Sequence, residues 1–188
     1  MGLLISVTEG NAMLVRSING NDWRLLKQVR LAALADAPTA FGVSYDAALK
    51  YSDAQWQERA TAAAGPEFWL AFIGGAAVGM IGAGISQASK RYNLIGMWVD
   101  PQSRGAGIAA RLVETVKTRA AQRGHDRIFL DVSPDNGRAA GFYLKQGFVF
   151  IDEWEPLASH PHIRVQTMVW TPDRDVRQAT AGQGAVSA

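Results

Sequence analysis

The chain contains no cysteine, which excludes disulfide staples, thiolate metal sites and a cysteine acyl-enzyme. No apolar run approaches the roughly 20 residues needed to span a bilayer. The opening Met1-Gly2-Leu3-Leu4-Ile5-Ser6-Val7 lacks the basic flank and the length of a secretory leader. Lysine and arginine number 19 against 17 acids, and this small excess forms no dense block. Neither nucleic acid nor a membrane is therefore an expected partner. No Gly-Lys-Ser/Thr follows a glycine-rich turn, which removes P-loop chemistry. What remains is a soluble, cytoplasmic chain of 188 residues, 48% hydrophobic, able to bury one good core.

The pattern of apolar residues predicts the elements. Ala12–Ile18 reads as a strand, followed by Asn19-Gly20-Asn21-Asp22 with Asp22 as helix cap. From Trp23 to Ala35 the residues Leu25, Leu26, Val29, Ala32 and Ala33 recur at helical spacing, with Arg24, Lys27 and Arg30 turned mostly away. Phe41–Tyr51 reads as irregular, and Ser52 caps a second helix that runs through Ala64. Phe68–Ile73 and Ala77–Ile85 form a hairpin around Gly74-Gly75-Ala76, and Tyr92–Val99 completes an antiparallel meander.

A long helix over Gly105–Arg123 stops at Gly124. The strand Arg127–Val132, the helix Arg138–Lys145, the strand Phe148–Ile151, a loop at Pro156–His162 and a last strand Arg164–Trp170 follow. Residues 1–172 are expected to make one domain, and the polar tail 173–188 is expected to be disordered.

Between the meander and the long helix lies the most informative segment, Trp98-Val99-Asp100-Pro101-Gln102-Ser103-Arg104-Gly105-Ala106-Gly107-Ile108-Ala109. A strand feeds a glycine-punctuated turn and then a helix start. The two glycines allow backbone conformations closed to other residues and leave the amides open to a ligand. Those amides are the unpaired donors of a helix N-terminus, where negative charge is favoured. A pyrophosphate suits such a turn.

The run Gln102 to Gly107 resembles the Gln/Arg-x-x-Gly-x-Gly/Ala turn of the GNAT superfamily of acyl-CoA-dependent N-acyltransferases. Asn136, Ala139, Tyr143 and Gly147-Phe148 resemble that family's second signature, so the likeness is close from residue 78 to 151. Residues 22–56 also look like one bacterial branch. The resemblance implies an α/β (α+β) fold: a twisted, mostly antiparallel mixed sheet of six to seven strands, helices on both faces, and splayed central strands that hold acyl-CoA.

It further implies acetyl-CoA as cosubstrate, with the amides around Arg104, Gly105, Ala106, Gly107, Ile108 and Ala109 at the pyrophosphate. Gln102 stands at the head of that turn. The backbone of Met97 and Val99 would pair with the pantetheine arm, with Trp98 between them on the opposite face. Asn136 would bond the pantetheine region and Tyr143 would lie near the thioester sulfur. The implied reaction is direct attack by a neutral primary amine, of a small molecule or a protein N-terminus. A homodimer is compatible with the family.

Acyl transfer from a thioester develops an oxyanion, which needs a backbone donor, and a departing thiolate, which benefits from a proton. Tyr143, with an ordinary pKa of about 10, can donate to a thiolate of pKa about 8.5. The amine must lose its proton to a base, for which Asp46, Asp131, Asp152, Glu155 and His160 are the candidates, none singled out by sequence. His160-Pro161-His162 has no third ligand nearby, and no metal is expected. Phe41, Tyr45, Tyr51 and Trp56 read equally as an acceptor pocket or as core.

Gly105-Ala106-Gly107-Ile108-Ala109-Ala110 also satisfies a dinucleotide-binding pattern. The gap from Val99 to Gly105 and the preceding meander argue against an NAD(P) oxidoreductase. A GNAT-like module that binds acyl-CoA as a sensor or scaffold, without transfer, is the rival that sequence leaves standing.

Overall fold

A computed structural model describes residues 12–62 and 65–172. The expected disordered tail at 173–188, the segment 1–11 and the predicted helix end at 63–64 lie outside the described residues. The strands are β1 (Leu14–Ser17), β2 (Glu67–Ile73), β3 (Ala76–Ile85), β4 (Tyr92–Val99), β5 (Ile128–Val132), β6 (Val149–Leu157) and β7 (His160–Trp170). The helices are α1 (Trp23–Asp36), α2 (Tyr45–Leu49), α3 (Asp53–Thr61), α4 (Ile108–Gln122) and α5 (Gly137–Lys145). One sheet takes the order β1-β2-β3-β4-β5-β7-β6. All of its pairings are antiparallel except β4 with β5, which is the mixed sheet expected and not the parallel sheet of a dinucleotide fold.

Each face of the sheet carries a core. On one, Leu112, Val113, Val116 and Ala120 of α4 pack on Ile81, Leu94, Ile128 and Leu130. On the other, Leu26, Val29, Ala33 and Leu34 of α1 meet Trp56 of α3 and Leu70, Met80 and Trp98 of the sheet. The four-residue spacing in α4 supplies this burial, and Gly124, at φ 77°, ends the helix as expected.

Four local expectations are corrected. Asp22 precedes α1 but makes no cap bond to it. Its carboxylate instead accepts from Arg16 at 2.8 and 2.9 Å and from the Asn19 amide at 3.0 Å, inside a capping box led by Asn19. The stretch 41–51 holds the one-turn helix α2, capped by Ser44; a helix this short buries only Ala48, too little to show a periodicity. Helix α3 ends at Thr61 because Ala62 turns left-handed at φ 54°. The predicted loop at 156–162 is a tight hairpin, with β6 running to Leu157 and β7 starting at His160. As an edge strand, β6 is mostly exposed and tolerates Pro156, so neither alternation nor composition marked it.

Two irregularities of β4 position the site. Gly82 pairs with Ile95 and Met80 with Trp98, a bulge at which Gly96 takes φ 60°. The bulge reverses the side-chain alternation: Tyr92 and Leu94 face the α4 core before it, and Val99 does so after it while Trp98 faces α1. Further, β4 and β5 share one register pair, Asn93 with Phe129. Beyond it the strands diverge.

Candidate functional site

The divergence opens a cleft of about 840 Å³ between β4 and β5. At one end stands the start of α4. Asp100 accepts from the Gln102 amide at 2.9 Å and holds a short 3-10 turn over Pro101–Ser103. Gly105 and Gly107 then take φ 87° and 77°. A Cβ on either would meet nothing within 4 Å, so the requirement for glycine here is conformational, not steric. The first bond of the helix is Arg111 N–H to the Gly107 carbonyl at 3.1 Å. No side chain caps the helix, so the amides of Ile108, Ala109 and Ala110 have no intrahelical partner. Gly105, Gly107, Ile108 and Ala109 line the cleft; Gln102 and Ala106 do not.

The side chains of Trp98 and Arg104 are engaged within the protein. Trp98 is buried, and its Nε1 donates to Asp36 Oδ2 at 2.9 Å. Arg104 pairs with the same oxygen and also donates from Nε to the Val99 carbonyl at 2.9 Å. These bonds, with the Arg104 and Arg138 charges, hold Asp36 below the ordinary carboxylate range against partial desolvation. Arg104 lines the cleft with its side chain held by these two bonds.

The Asp100 amide bonds to Val78 O on the β3 side at 2.8 Å. Strand alternation therefore turns the polar groups of Met97 and Val99 toward β5, where no register pair follows Asn93. On the cleft wall Tyr143 is 6% exposed, in edge contact with Phe142 and Phe148. Its burial pushes the phenol well above its ordinary value. Asn136 caps α5 by accepting from Ala139 N at 3.2 Å, and it too lines the cleft.

The structure also selects among the candidate bases. Asp131 and Glu155 line the cleft; Asp46, Asp152 and His160 do not. Thr167 Oγ1 donates to Asp131 Oδ1 at 2.6 Å. Partial desolvation, the charge of Asp131 and a hydrogen bond with it raise Glu155 above the ordinary carboxylate range. Of the aromatic set, Phe41 reaches the cleft, Trp56 is core with Tyr51 against its edge at 5.6 Å, and Tyr45 stands apart.

Sequence reasoning missed Arg30, Asp36 and Gly96. Arg30 does not turn away from the core: it lines the cleft, with its guanidinium over the Phe41 ring at 4.5 Å. The signal was in the spacing, since Arg30 lies four residues from both Leu26 and Leu34 of the buried stripe. Among the described residues no group of three or more His, Cys, Asp or Glu side chains could hold a metal ion.

Fold and site together define an α/β protein in which an uncapped helix start opens onto a cleft between diverging strands. A model of the acetyltransferase (GNAT) family matches residues 31–148, and the chain belongs to that family. Human N-acetyltransferase 8B is 36% identical over 85 residues, which are 43% of this chain and 37% of that protein. The chain thus matches little more than a third of its curated relative's length. An acetyltransferase of the GNAT family from Streptococcus pneumoniae superposes with a TM-score of 0.69 at 19% identity, over 85% of this chain and 99% of that one. A Salmonella typhimurium protein solved with its cofactor acetyl-CoA gives 0.65 at 16% identity, over 94% and 99%. At such identities these structures share the fold. The matched curated relatives are human and rat proteins, so the resemblance of residues 22–56 to a bacterial branch is not supported.

Proposed function

We propose that the chain is an N-acetyltransferase that moves the acetyl group of acetyl-CoA to the primary amine of a small molecule or protein N-terminus. The observation that carries this reading is the β4/β5 divergence beside an uncapped α4 start with Gly105 and Gly107 at positive φ. That geometry fits the group: free amides for phosphate, a strand edge without a β5 partner, its Val99 carbonyl held by Arg104, for an extended amide-bearing arm, and a buried phenol on the cleft wall. Bound acetyl-CoA supplies an activated acetyl thioester. The chain supplies the rest.

In this reading the amides from Arg104 to Ala109, including those of Gly105, Ala106, Gly107 and Ile108, bind pyrophosphate, and Gln102 shapes the turn that presents them. The edge of Met97 and Val99 orients the arm, with Trp98 anchoring the strand from the opposite face. Asn136, whose side-chain oxygen is spent on the α5 cap, offers its amide nitrogen. Tyr143 Oη keeps its proton through the neutral range, since burial raises it, and stands as proton donor to the leaving sulfur. Glu155, raised beside Asp131, accepts the proton of the acceptor ammonium.

A cytoplasmic location and a homodimer belong to the same proposal, as does one domain over 1–172. No described helix is long and apolar enough to cross a membrane. Calorimetric titration with acetyl-CoA, with NAD and NADP as controls, tests the cofactor. Acetyl-CoA binding together with thiol release in an amine panel supports the transferase. Binding without release on any amine returns the sensor reading, and binding of NAD or NADP alone overturns both.

A further inference from the structure

One cation of the cleft wall, Arg30, is largely withdrawn from solvent and pairs with no carboxylate among the described residues. Arg30 Nη1 is sealed from solvent with no hydrogen-bond partner, beside the β4 bulge, where a Cβ on Gly96 would lie 3.4 Å from it. The guanidinium stacks on Phe41. No carboxylate acts on Arg30: burial lowers it to about 10, Tyr51 opposes that shift and the Arg59 cation adds to it. Asp36, the one acid of α1, is committed to Trp98 and Arg104. Asn93 Oδ1, also on the cleft wall, is buried and unpartnered as well.

A largely desolvated cation without a partner is costly, and an anionic group entering the cleft would complete it. A guanidinium presents a planar fork matched to a carboxylate. The same cleft carries the carboxyl groups of Asp131 and Glu155. It thus offers a cation for an anionic group and carboxylates for an ammonium.

We infer that the acceptor is an amine that also bears a carboxylate, an α-amino acid or a close analogue, with Arg30 holding the carboxylate and the amine turned to Glu155. This rests on the acetyltransferase reading and narrows it. A purely cationic acceptor such as a polyamine would meet Asp131 and Glu155 but would leave Arg30 without a partner.

The test is thiol release from acetyl-CoA with a panel of amino acids, each paired with its carboxamide. It compares wild type, Arg30→Met and Arg30→Lys, with the melting midpoint of each and acetyl-CoA titration of wild type. The expected result is at least one amino acid favoured over its amide by roughly 100-fold in kcat/KM. Arg30→Met abolishes that preference through KM with little change in kcat. Its midpoint stays near wild type's, because relief of the desolvated charge offsets the lost stacking on Phe41. Arg30→Lys, which keeps the charge without the fork, retains a fraction of the preference.

Amides used as well as acids by wild type, or a preference that survives both substitutions, overturns the inference and leaves the acetyltransferase standing. Should Arg30→Met fail to fold, full preference in Arg30→Lys overturns the inference and its partial loss supports it. Absence of acetyl-CoA binding overturns the parent reading and this one together.

Discussion

Trp98 on β4 donates its indole N–H to Asp36 at the end of α1, 2.9 Å away, and Arg104 closes on the same carboxylate oxygen from the glycine turn. One acid therefore ties a helix, the central strand and the phosphate-type turn. This brace sets where the β4 edge lies relative to the start of α4, the two parts an extended ligand would bridge.

Asp36→Ala should cost about 1–3 kcal/mol, the penalty for stranding the donors of a partly buried network, and should weaken acetyl-CoA binding. Because Asp36 is held below the ordinary carboxylate range, its contribution is complete above about pH 4 and is lost as pH falls through the lower folded value. Urea melts at neutral and acidic pH check this: the wild-type and Asp36→Ala curves converge on acidification. A gap that persists at low pH would show that the ion pair is not the source of the stability.

Gly107→Val puts a β-branched residue at φ 77°, a strain of roughly 1–2 kcal/mol, and should reduce acetyl-CoA affinity tenfold or more. Gly141→Ala is the counterpart on α5. Its new Cβ would meet nothing within 4 Å, so the substitution should stabilise by about 0.5–1 kcal/mol. Thermal melts and calorimetry of the two variants should move in opposite directions.

Tyr143→Phe keeps the ring that packs on Phe142 and Phe148 and removes only the hydroxyl. We expect kcat to fall by roughly 100-fold, the usual scale for a lost general acid, with acetyl-CoA affinity retained. An unchanged kcat would confine Tyr143 to packing.

Glu155 predicts a pH profile. Its carboxyl titrates above the ordinary glutamate value of about 4.3, so the base becomes available only as pH rises through that higher value, and the acid limb of kcat/KM should lie there. Glu155→Gln should lower kcat by roughly 100-fold and remove that limb. Stopped-flow rates from pH 4 to 9 decide between this and a role for Asp131, which Asp131→Asn would expose.

How much was legible in the residues follows from the range of the forces involved. The helical stripe of α4, the hairpin at Gly74-Gly75 and the turn at Gly105 and Gly107 are local: periodicity and permitted φ values specify them within a dozen residues. The α2 turn and the β6/β7 hairpin were not legible, because a one-turn helix and an exposed edge strand bury too little to impose a pattern.

The site divides the same way. Order in the sequence determined the glycine turn, the second signature through Asn136 and Tyr143, and hence the family. Which carboxylates reach the cleft, that Asp36 braces Trp98 and Arg104, and that Arg30 stands there unpaired were decided by the tertiary structure. Side chains far apart in the chain meet only once the sheet splays and β4 bulges at Gly96, and pairwise electrostatics at a few ångströms has no expression in residue spacing.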